Sequence, residues 1–213
     1  MSVHADAVRQ TEREWWLRAV LVLWSPRPVF VALRDDSDEA AEARAEPILA
    51  IVILAGIAGV LATPVTGELL NDPEFDGVLI AVWAFIAGLF HGVVGYFVLG
   101  ALVYLGVSLL GSLGSFRRSR HLVGFAAVPL VLSLVVWPVR IALFGEDAFR
   151  RGGSDTGTAV TIFEGIEWLV LAWCVVLLAI GIRAVHGWSW PRSLAALAIA
   201  AAPPVLLTVL LDL

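Results

Sequence analysis

The ten residues Gly111–Arg120, GSLGSFRRSR, interrupt an otherwise apolar part of the chain. Val78–Leu110 before them and Leu122–Val139 after them contain no Asp, Glu, Lys or Arg. Three arginines lie within four positions of this stretch: Arg117, Arg118 and Arg120. Each would cost about 2.5 kcal/mol or more in hydrocarbon, so the chain is expected to leave a membrane here and turn back. Basic residues in a short loop also mark the cytoplasmic side.

The composition indicates an integral membrane protein. Of the 213 residues, 60% are hydrophobic and only 15% are charged, and the mean hydropathy is +0.89. Soluble domains are closer to half apolar and a quarter charged. The one cysteine, Cys174, excludes an internal disulfide and a metal site built from cysteines.

Five long apolar segments follow a more polar N-terminal part. The prediction is therefore an all-α, polytopic membrane protein, a bundle of five transmembrane helices. Residues 1–46 form a cytoplasmic N-terminal segment, and residues 47–213 form the membrane domain. The predicted spans are 48–65, 78–110, 122–144, 163–185 and 194–213.

The arginines predict which way the bundle is inserted. Eleven of the 14 basic residues, all of them arginine, fall in segments on one side of the predicted bundle, and two fall on the other. The remaining one, Arg140, lies inside the third span. By the positive-inside rule the N-terminus is cytoplasmic and the C-terminus lies outside, in the plasma or inner membrane.

The N-terminal segment is predicted to carry an interfacial amphipathic helix. Trp15, Trp16 and Ala19 recur at helical spacing, which is typical of a helix with its tryptophans at headgroup depth. An acidic linker follows, in which Asp36 and Glu39 resemble a capping box that starts a short helix running to Glu46. These acids are interpreted as a solvated linker, with a divalent-cation or partner site as the alternative.

At the arginine stretch the chain resembles the Yip (Ypt-interacting protein) domain family of multi-pass membrane proteins, in its prokaryotic branch. The motifs that carry the resemblance are Ser25–Phe30, Gly111–Arg118, Gly124–Ala127 with Pro129, Gly181–Gly187 and Ser193–Ala195. The resemblance covers roughly residues 20–213 and implies five transmembrane helices with a cytoplasmic N-terminus. Eukaryotic members are associated with membrane trafficking and Rab-type GTPases, whereas for prokaryotic members the resemblance implies a fold more than an activity.

Four ionisable residues in or beside the spans form a candidate intramembrane polar cluster: His91, Arg140, Glu164 and Glu167. Arg140 is predicted to pair with one of the two glutamates, because all three fall near the outer surface. The alternative is an ion or substrate gate. His91 is interpreted as a neutral hydrogen-bond donor to a neighbouring helix, with proton relay as the alternative.

Gly88 and Gly92 stand one helical turn apart in the second span, which predicts close helix packing. A partner helix within the same chain is favoured over a second subunit. No serine-hydrolase, zinc-protease or phosphate-loop motif occurs, so neither an enzyme nor a cofactor or metal site is expected. Nucleic-acid binding is not expected, since the basic residues face a membrane surface.

The leading hypothesis is a non-enzymatic membrane protein of the Yip type that organises lipids or partner proteins at its cytoplasmic face. Anionic headgroups, a protein partner or a second copy are the expected partners. The candidate binding residues are Arg117, Arg118, Arg120, Arg183 and Arg192. The alternative is a small transporter, channel or lipid-translocating protein with a polar site between the second, third and fourth spans.

Overall fold

The computed structural model describes residues 13–63, 77–149 and 157–211, in which every regular element is a helix. The helices are α1 (13–21), α2 (Pro26–Ala32), α3 (Asp38–Ala43), α4 (Ala45–Leu61), α5 (Gly77–Leu109), α6 (Phe116–Ala126), α7 (Val128–Ser133), α8 (Val136–Phe144), α9 (Thr158–His186) and α10 (Trp190–Leu211), with a 3₁₀ helix at Gly145–Phe149.

Four stretches among the described residues are long and apolar enough to cross a membrane: Gly77–Leu109, Phe116–Phe144, Thr158–His186 and Trp190–Leu207. The first predicted span, 48–65, corresponds to α4, which has 17 residues and is about 25 Å long at 1.5 Å per residue. The helical, membrane-spanning class is therefore confirmed. The count of five crossings stays a prediction, because α4 is shorter than the hydrocarbon core of about 30 Å.

The third span begins earlier than the sequence predicts. Helix α6 starts at Phe116, so the three arginines of the predicted loop lie in its first two turns. The loop that reverses the chain is shorter, between the end of α5 at Leu109 and Ser115. Pro129 and Pro138 fall in the first turns of α7 and α8, where a missing amide proton costs little. The prolines thus divide this span into three consecutive helices.

The acidic linker also differs from its prediction. Ser37, rather than Asp36, caps α3, and its hydroxyl accepts a hydrogen bond from the Ala40 amide at 3.3 Å. Helix α3 ends at Ala43 instead of Glu46, because Arg44 forms a turn from which α4 begins. Asp36 is left free to contact other parts of the chain.

The N-terminal helix is part of the bundle rather than only a surface element. The ring of Trp15 is buried against Phe125 of α6, with centroids 5.5 Å apart, so Trp15 packs inside the protein rather than against lipid headgroups. The opposite face of α1 and the turn after it are exposed and apolar. The exposed side chains are Trp16, Leu17, Val20, Leu21 and Trp24. An interfacial position for that outer face stays a prediction.

Small residues set the packing of the long helices. Helix α4 lies along α5, with Gly56 against Gly88 and Gly92. Helix α5 also contacts α6 and α10, where Gly106 meets Ala196. The neighbour of the Gly88–Gly92 pair therefore lies within this chain.

Candidate interaction site at the arginine-bearing end

Three segments that are distant in sequence meet at one end of the bundle. They are residues 34–44, the turn and helix start at 110–120, and the turn at 183–193. We call this the arginine-bearing end. Most of the arginines that the sequence assigns to the cytoplasmic side lie in these segments.

The first turn of α6 places two arginines where their charge is least favourable. Ser115 caps this helix by accepting a hydrogen bond from the Arg118 amide at 3.0 Å. Arg117 and Arg118 thus lie at a helix N-terminus, where the helix dipole favours anions and disfavours cations. A carboxylate at this position would interact favourably with the helix dipole and would also neutralise part of the arginine charge.

Asp36 supplies that carboxylate. One oxygen lies 3.1 Å from Arg117 Nε and 3.3 Å from an Arg44 terminal nitrogen. The other accepts a hydrogen bond from the Ser115 hydroxyl and lies 3.9 Å from Arg118. We call Asp36, Arg44, Ser115, Arg117 and Arg118 the Asp36 hub.

Arg44 is the most deeply placed member of the hub, with a side chain that is 0% exposed. Its Nε donates to His121 Nδ1 at 2.7 Å, and a terminal nitrogen donates to the Asp35 carbonyl at 2.8 Å. Because His121 Nδ1 accepts, the neutral ring carries its proton on Nε2. The buried guanidinium is therefore surrounded by acceptors, as a buried charge requires.

Two further arginines cap the ends of helices. Arg34 donates to the Ala184 carbonyl at 2.6 and 3.0 Å, at the C-terminal end of α9. Arg192 donates to the Leu110 carbonyl just after α5, while its guanidinium lies 4.1 Å from the Trp188 ring. Helix C-termini expose unpaired carbonyls and favour cations. Some of the arginines that produce the charge asymmetry in the sequence therefore stabilise the fold.

Arg120 and Arg183 rest on aromatic rings instead. The Arg120 guanidinium lies 4.5 Å from the Phe97 ring centroid and 4.9 Å from that of Phe116. Arg183 lies 4.8 Å from the Trp190 ring. Among the described residues neither guanidinium has a carboxylate within salt-bridge distance. Of the five candidate binding arginines, these two and Arg192 have no carboxylate partner in the described part of the chain, and Arg192 instead donates to a backbone carbonyl.

The candidate polar cluster is only partly assembled. Arg140 lies 3.6 Å from Glu167, which confirms the predicted pairing with one of the two glutamates. A cavity of about 20 Å³ lies beside this pair, enough for one water molecule. His91 lies elsewhere, against Gly59 of α4, in a separate and mainly apolar cavity. A functional role for His91, Arg140, Glu164 or Glu167 stays a prediction.

The larger spaces between helices are apolar, and one of about 560 Å³ is lined by side chains that include Ile57, Ile80 and Ile141. A cavity of about 320 Å³ between α5, α6, α7, α9 and α10 is lined almost entirely by Leu, Val and Ala, with Cys174 and Pro204. A cavity of about 200 Å³ between α4, α5, α6 and α7 shares Leu99, Leu130 and Leu171 with it. Within the described residues, these larger cavities between the second, third and fourth predicted spans are therefore suited to hydrocarbon rather than to a polar solute.

Sequence reasoning missed Asp36 and Arg44 because their partners lie 77 to 81 residues away. The acids of the linker match no metal loop, so the sequence alone favours a solvated linker. The signal that could have identified the hub is the excess of arginine at the start of a predicted helix, which requires a counter-ion from elsewhere in the chain.

The Asp36 hub predicts a particular pH dependence of stability. Burial raises the pKa of Asp36, but hydrogen bonds from Ser115 and Arg117 and the nearby guanidinium charges outweigh it, so the pKa falls below its ordinary value of 3.8. A lowered pKa in the folded protein contributes stability above the ordinary value, and this is lost as the pH falls through the lowered value. The difference in melting temperature between the wild type and Asp36→Asn should therefore stay constant from pH 8 to about pH 5 and shrink only below about pH 4. Differential scanning fluorimetry in detergent measures it, and a difference already shrinking between pH 7 and pH 5 would contradict the lowered pKa.

The helices and their charge distribution define the chain as a multi-pass membrane protein. It belongs to the Yip1 domain family, whose family model matches residues 20–212, nearly the whole chain. No curated protein and no solved structure matches it significantly. The resemblance read from the short motifs is thus confirmed at the level of the family, and the prokaryotic branch stays a prediction.

Proposed function

We propose that this chain is a non-enzymatic, five-span protein of the plasma or inner membrane that organises anionic lipids or partner proteins at its cytoplasmic face, which includes the arginine-bearing end and helices α1 and α2. Its N-terminus is cytoplasmic and its C-terminus lies outside. The observation that carries the proposal is the combination of one arginine-rich end with apolar spaces between the helices. A protein that moves polar solutes needs a wet path, whereas an organiser needs only a surface.

The surface available for binding differs from the one suggested by the arginine stretch. Arg117 and Arg118 are held by Asp36, and Arg192 caps a helix end. Arg13, at the start of α1, and Arg27, at the start of α2, are exposed, and in the sequence they flank the exposed apolar side chains from Trp16 to Trp24. An apolar helix face flanked by arginines is typical of segments that lie on anionic membrane surfaces.

We therefore expect the full chain to enrich anionic lipid around itself through its exposed arginines. Reconstituted in phosphatidylcholine vesicles, it should transfer tryptophan fluorescence to dansyl-phosphatidylglycerol more efficiently than to dansyl-phosphatidylcholine. The double variant Arg13→Gln, Arg27→Gln should reduce this preference severalfold, because each arginine near an anionic surface contributes about 1 kcal/mol. Added salt should weaken the preference as well.

Arg150→Gln with Arg151→Gln is the matched control, since it removes two charges from the loop predicted to lie on the opposite side. An equal loss of preference in both double variants would reject the assigned surface. Solute flux or lipid scrambling in the same vesicles would instead support the transporter alternative.

A further inference from the structure

We infer that one bilayer phospholipid binds between α4, α5 and α6–α7, with an acyl chain in the cavity of about 200 Å³ and its phosphate on Arg120. This deepens the proposed function, on which it rests for membrane insertion. It concerns a specific site within the bundle, whereas the exposed arginines concern a diffuse surface.

The cavity has the shape and lining that an acyl chain requires. Its α4 and α5 walls include four glycines, Gly56, Gly59, Gly92 and Gly95, and its other wall is formed by Val123, Ala127 and Leu130. A side chain added at Gly95 would meet nothing within 4 Å. The exposed side chain of Leu99 lies at its edge, so the cavity opens sideways toward the bilayer. An apolar cavity that opens into hydrocarbon is filled by hydrocarbon rather than by water.

Arg120 supplies charge complementarity at one end of this cavity. Its guanidinium lies 5.5 Å from the ring of Tyr96, which lines the cavity, and its side chain packs on Gly100. Its Nε is buried and has no hydrogen-bond partner among the described residues. Phe97 and Phe116 hold the planar group in place without neutralising it. A phosphate can accept two parallel hydrogen bonds from such a guanidinium.

The depth of Arg120 fits a headgroup. Helix α5 has 33 residues, about 50 Å at 1.5 Å per residue, so it exceeds the hydrocarbon core by about 20 Å. Counted from Gly77, a core of about 30 Å ends near Tyr96. Arg120 packs beside Tyr96 and Gly100, at or just beyond that boundary, while the cavity continues from Tyr96 toward His91 and Gly59 inside the core. A phosphate at the surface and a chain pointing inward match this arrangement.

The chemical class of the ligand follows from the apolar cavity and Arg120 taken together. A free phosphate would leave the apolar cavity empty, and a hydrocarbon without a headgroup would leave Arg120 without an anion. A phospholipid satisfies both, and it is the molecule that surrounds an inserted bundle.

Native mass spectrometry of the full chain in detergent, titrated with dioleoyl-phosphatidylglycerol, tests the site. One tightly bound lipid is expected for the wild type. Gly95→Leu fills the cavity and should weaken binding about tenfold or more, whereas Gly165→Leu, at another helical glycine with open space around it, should not. Arg120→Gln should weaken phosphatidylglycerol binding about tenfold, and Arg150→Gln, in the loop predicted to lie on the opposite side, should not.

Two further titrations separate the two halves of the ligand. Dioleoylglycerol, which has no phosphate, should be weakened by Gly95→Leu and unaffected by Arg120→Gln. Inorganic phosphate at millimolar concentration should not displace the bound lipid. Equal binding by Gly95→Leu and Gly165→Leu, equal binding by Arg120→Gln and Arg150→Gln, or displacement by phosphate alone would each overturn the inference. The lipid-enrichment assay with Arg13 and Arg27 replaced reports on the proposed function separately, because Gly95→Leu leaves those arginines in place.

Discussion

Replacing Asp36 by asparagine is expected to lower the free energy of unfolding by about 3 kcal/mol, among the largest effects of any single polar substitution in this chain. The reason is Arg44, whose side chain is 0% exposed and whose only carboxylate partner among the described residues is Asp36. Asparagine keeps the shape of the side chain but removes its charge. A buried guanidinium is then left without a counter-ion, and two further arginines remain at the N-terminus of α6.

The measurement is unfolding of the purified protein in detergent by SDS titration or by heat. A loss of about 3 kcal/mol corresponds to roughly 6–12 °C in melting temperature for a chain of this size. Asp38→Asn is the matched control, because Asp38 also binds Arg117, at 2.6 Å, but its side chain is 96% exposed. Ion pairs in water contribute little, so this control should melt close to the wild type.

A second experiment distinguishes the loss of the Asp36–Arg44 ion pair from a general effect of removing a negative charge. Arg44→Met combined with Asp36→Asn removes both partners of the buried pair, and the double variant should lose less than the sum of the two single variants. Additive losses, or equal melting temperatures for Asp36→Asn and Asp38→Asn, would show that Asp36 is not the central counter-ion.

The membrane class and the long helices could be predicted from the sequence because hydrophobicity and charge are local properties. The predicted second span, 78–110, differs by one residue at each end from α5, Gly77–Leu109. Both ends of that segment are marked by a change of composition. Composition also placed the predicted start of the third span, at residue 122, six residues after the observed start at Phe116. The prediction excludes the arginines from the span, because a guanidinium in or near hydrocarbon is costly unless it is paired.

The pairing that makes those arginines acceptable is not local. Arg117 and Asp36 are separated by 81 residues, and no periodicity or motif links them. The sequence therefore indicated that the arginines matter and that they lie on one side. It could not indicate which of them are neutralised within the fold, which cap helix ends and which remain available to a ligand.

The glycines illustrate the same division between local and distant information. The spacing of Gly88 and Gly92 predicted close packing, but only the structure identifies α4 as the neighbour. Gly100, eight residues beyond Gly92 and on a similar face of α5, packs against the Arg120 side chain instead. Glycines that look equivalent in the sequence thus have different neighbours in the structure. Gly88 and Gly92 contact a helix, Gly100 contacts an arginine side chain, and Gly95 lines an open cavity.

Replacing Gly56 by alanine is consequently expected to be the most damaging conservative change in the membrane domain. A Cβ at Gly56 would lie 2.6 Å from the Gly92 Cα, and one at Gly88 would lie 2.6 Å from the Ile57 Cα. Both obstacles are backbone atoms of helices, which cannot move aside as a flexible side chain can. Helices α4 and α5 must separate along the contact, and we expect a loss of about 3 kcal/mol or more in the free energy of unfolding.

The matched control variants are expected to keep or raise the stability of the protein rather than lower it. Gly95→Ala and Gly165→Ala place the same methyl group on helical glycines that have nothing within 4 Å. Alanine is favoured over glycine in a helix interior by up to about 1 kcal/mol, so these variants should unfold at equal or higher SDS concentration than the wild type. If Gly56→Ala were as stable as Gly95→Ala, α4 could not be packed directly on α5. The Gly88–Gly92 pair would then be free to contact a second copy of the chain, and cross-linking between cysteines placed at Phe85, on the same face of α5, in two copies would detect it.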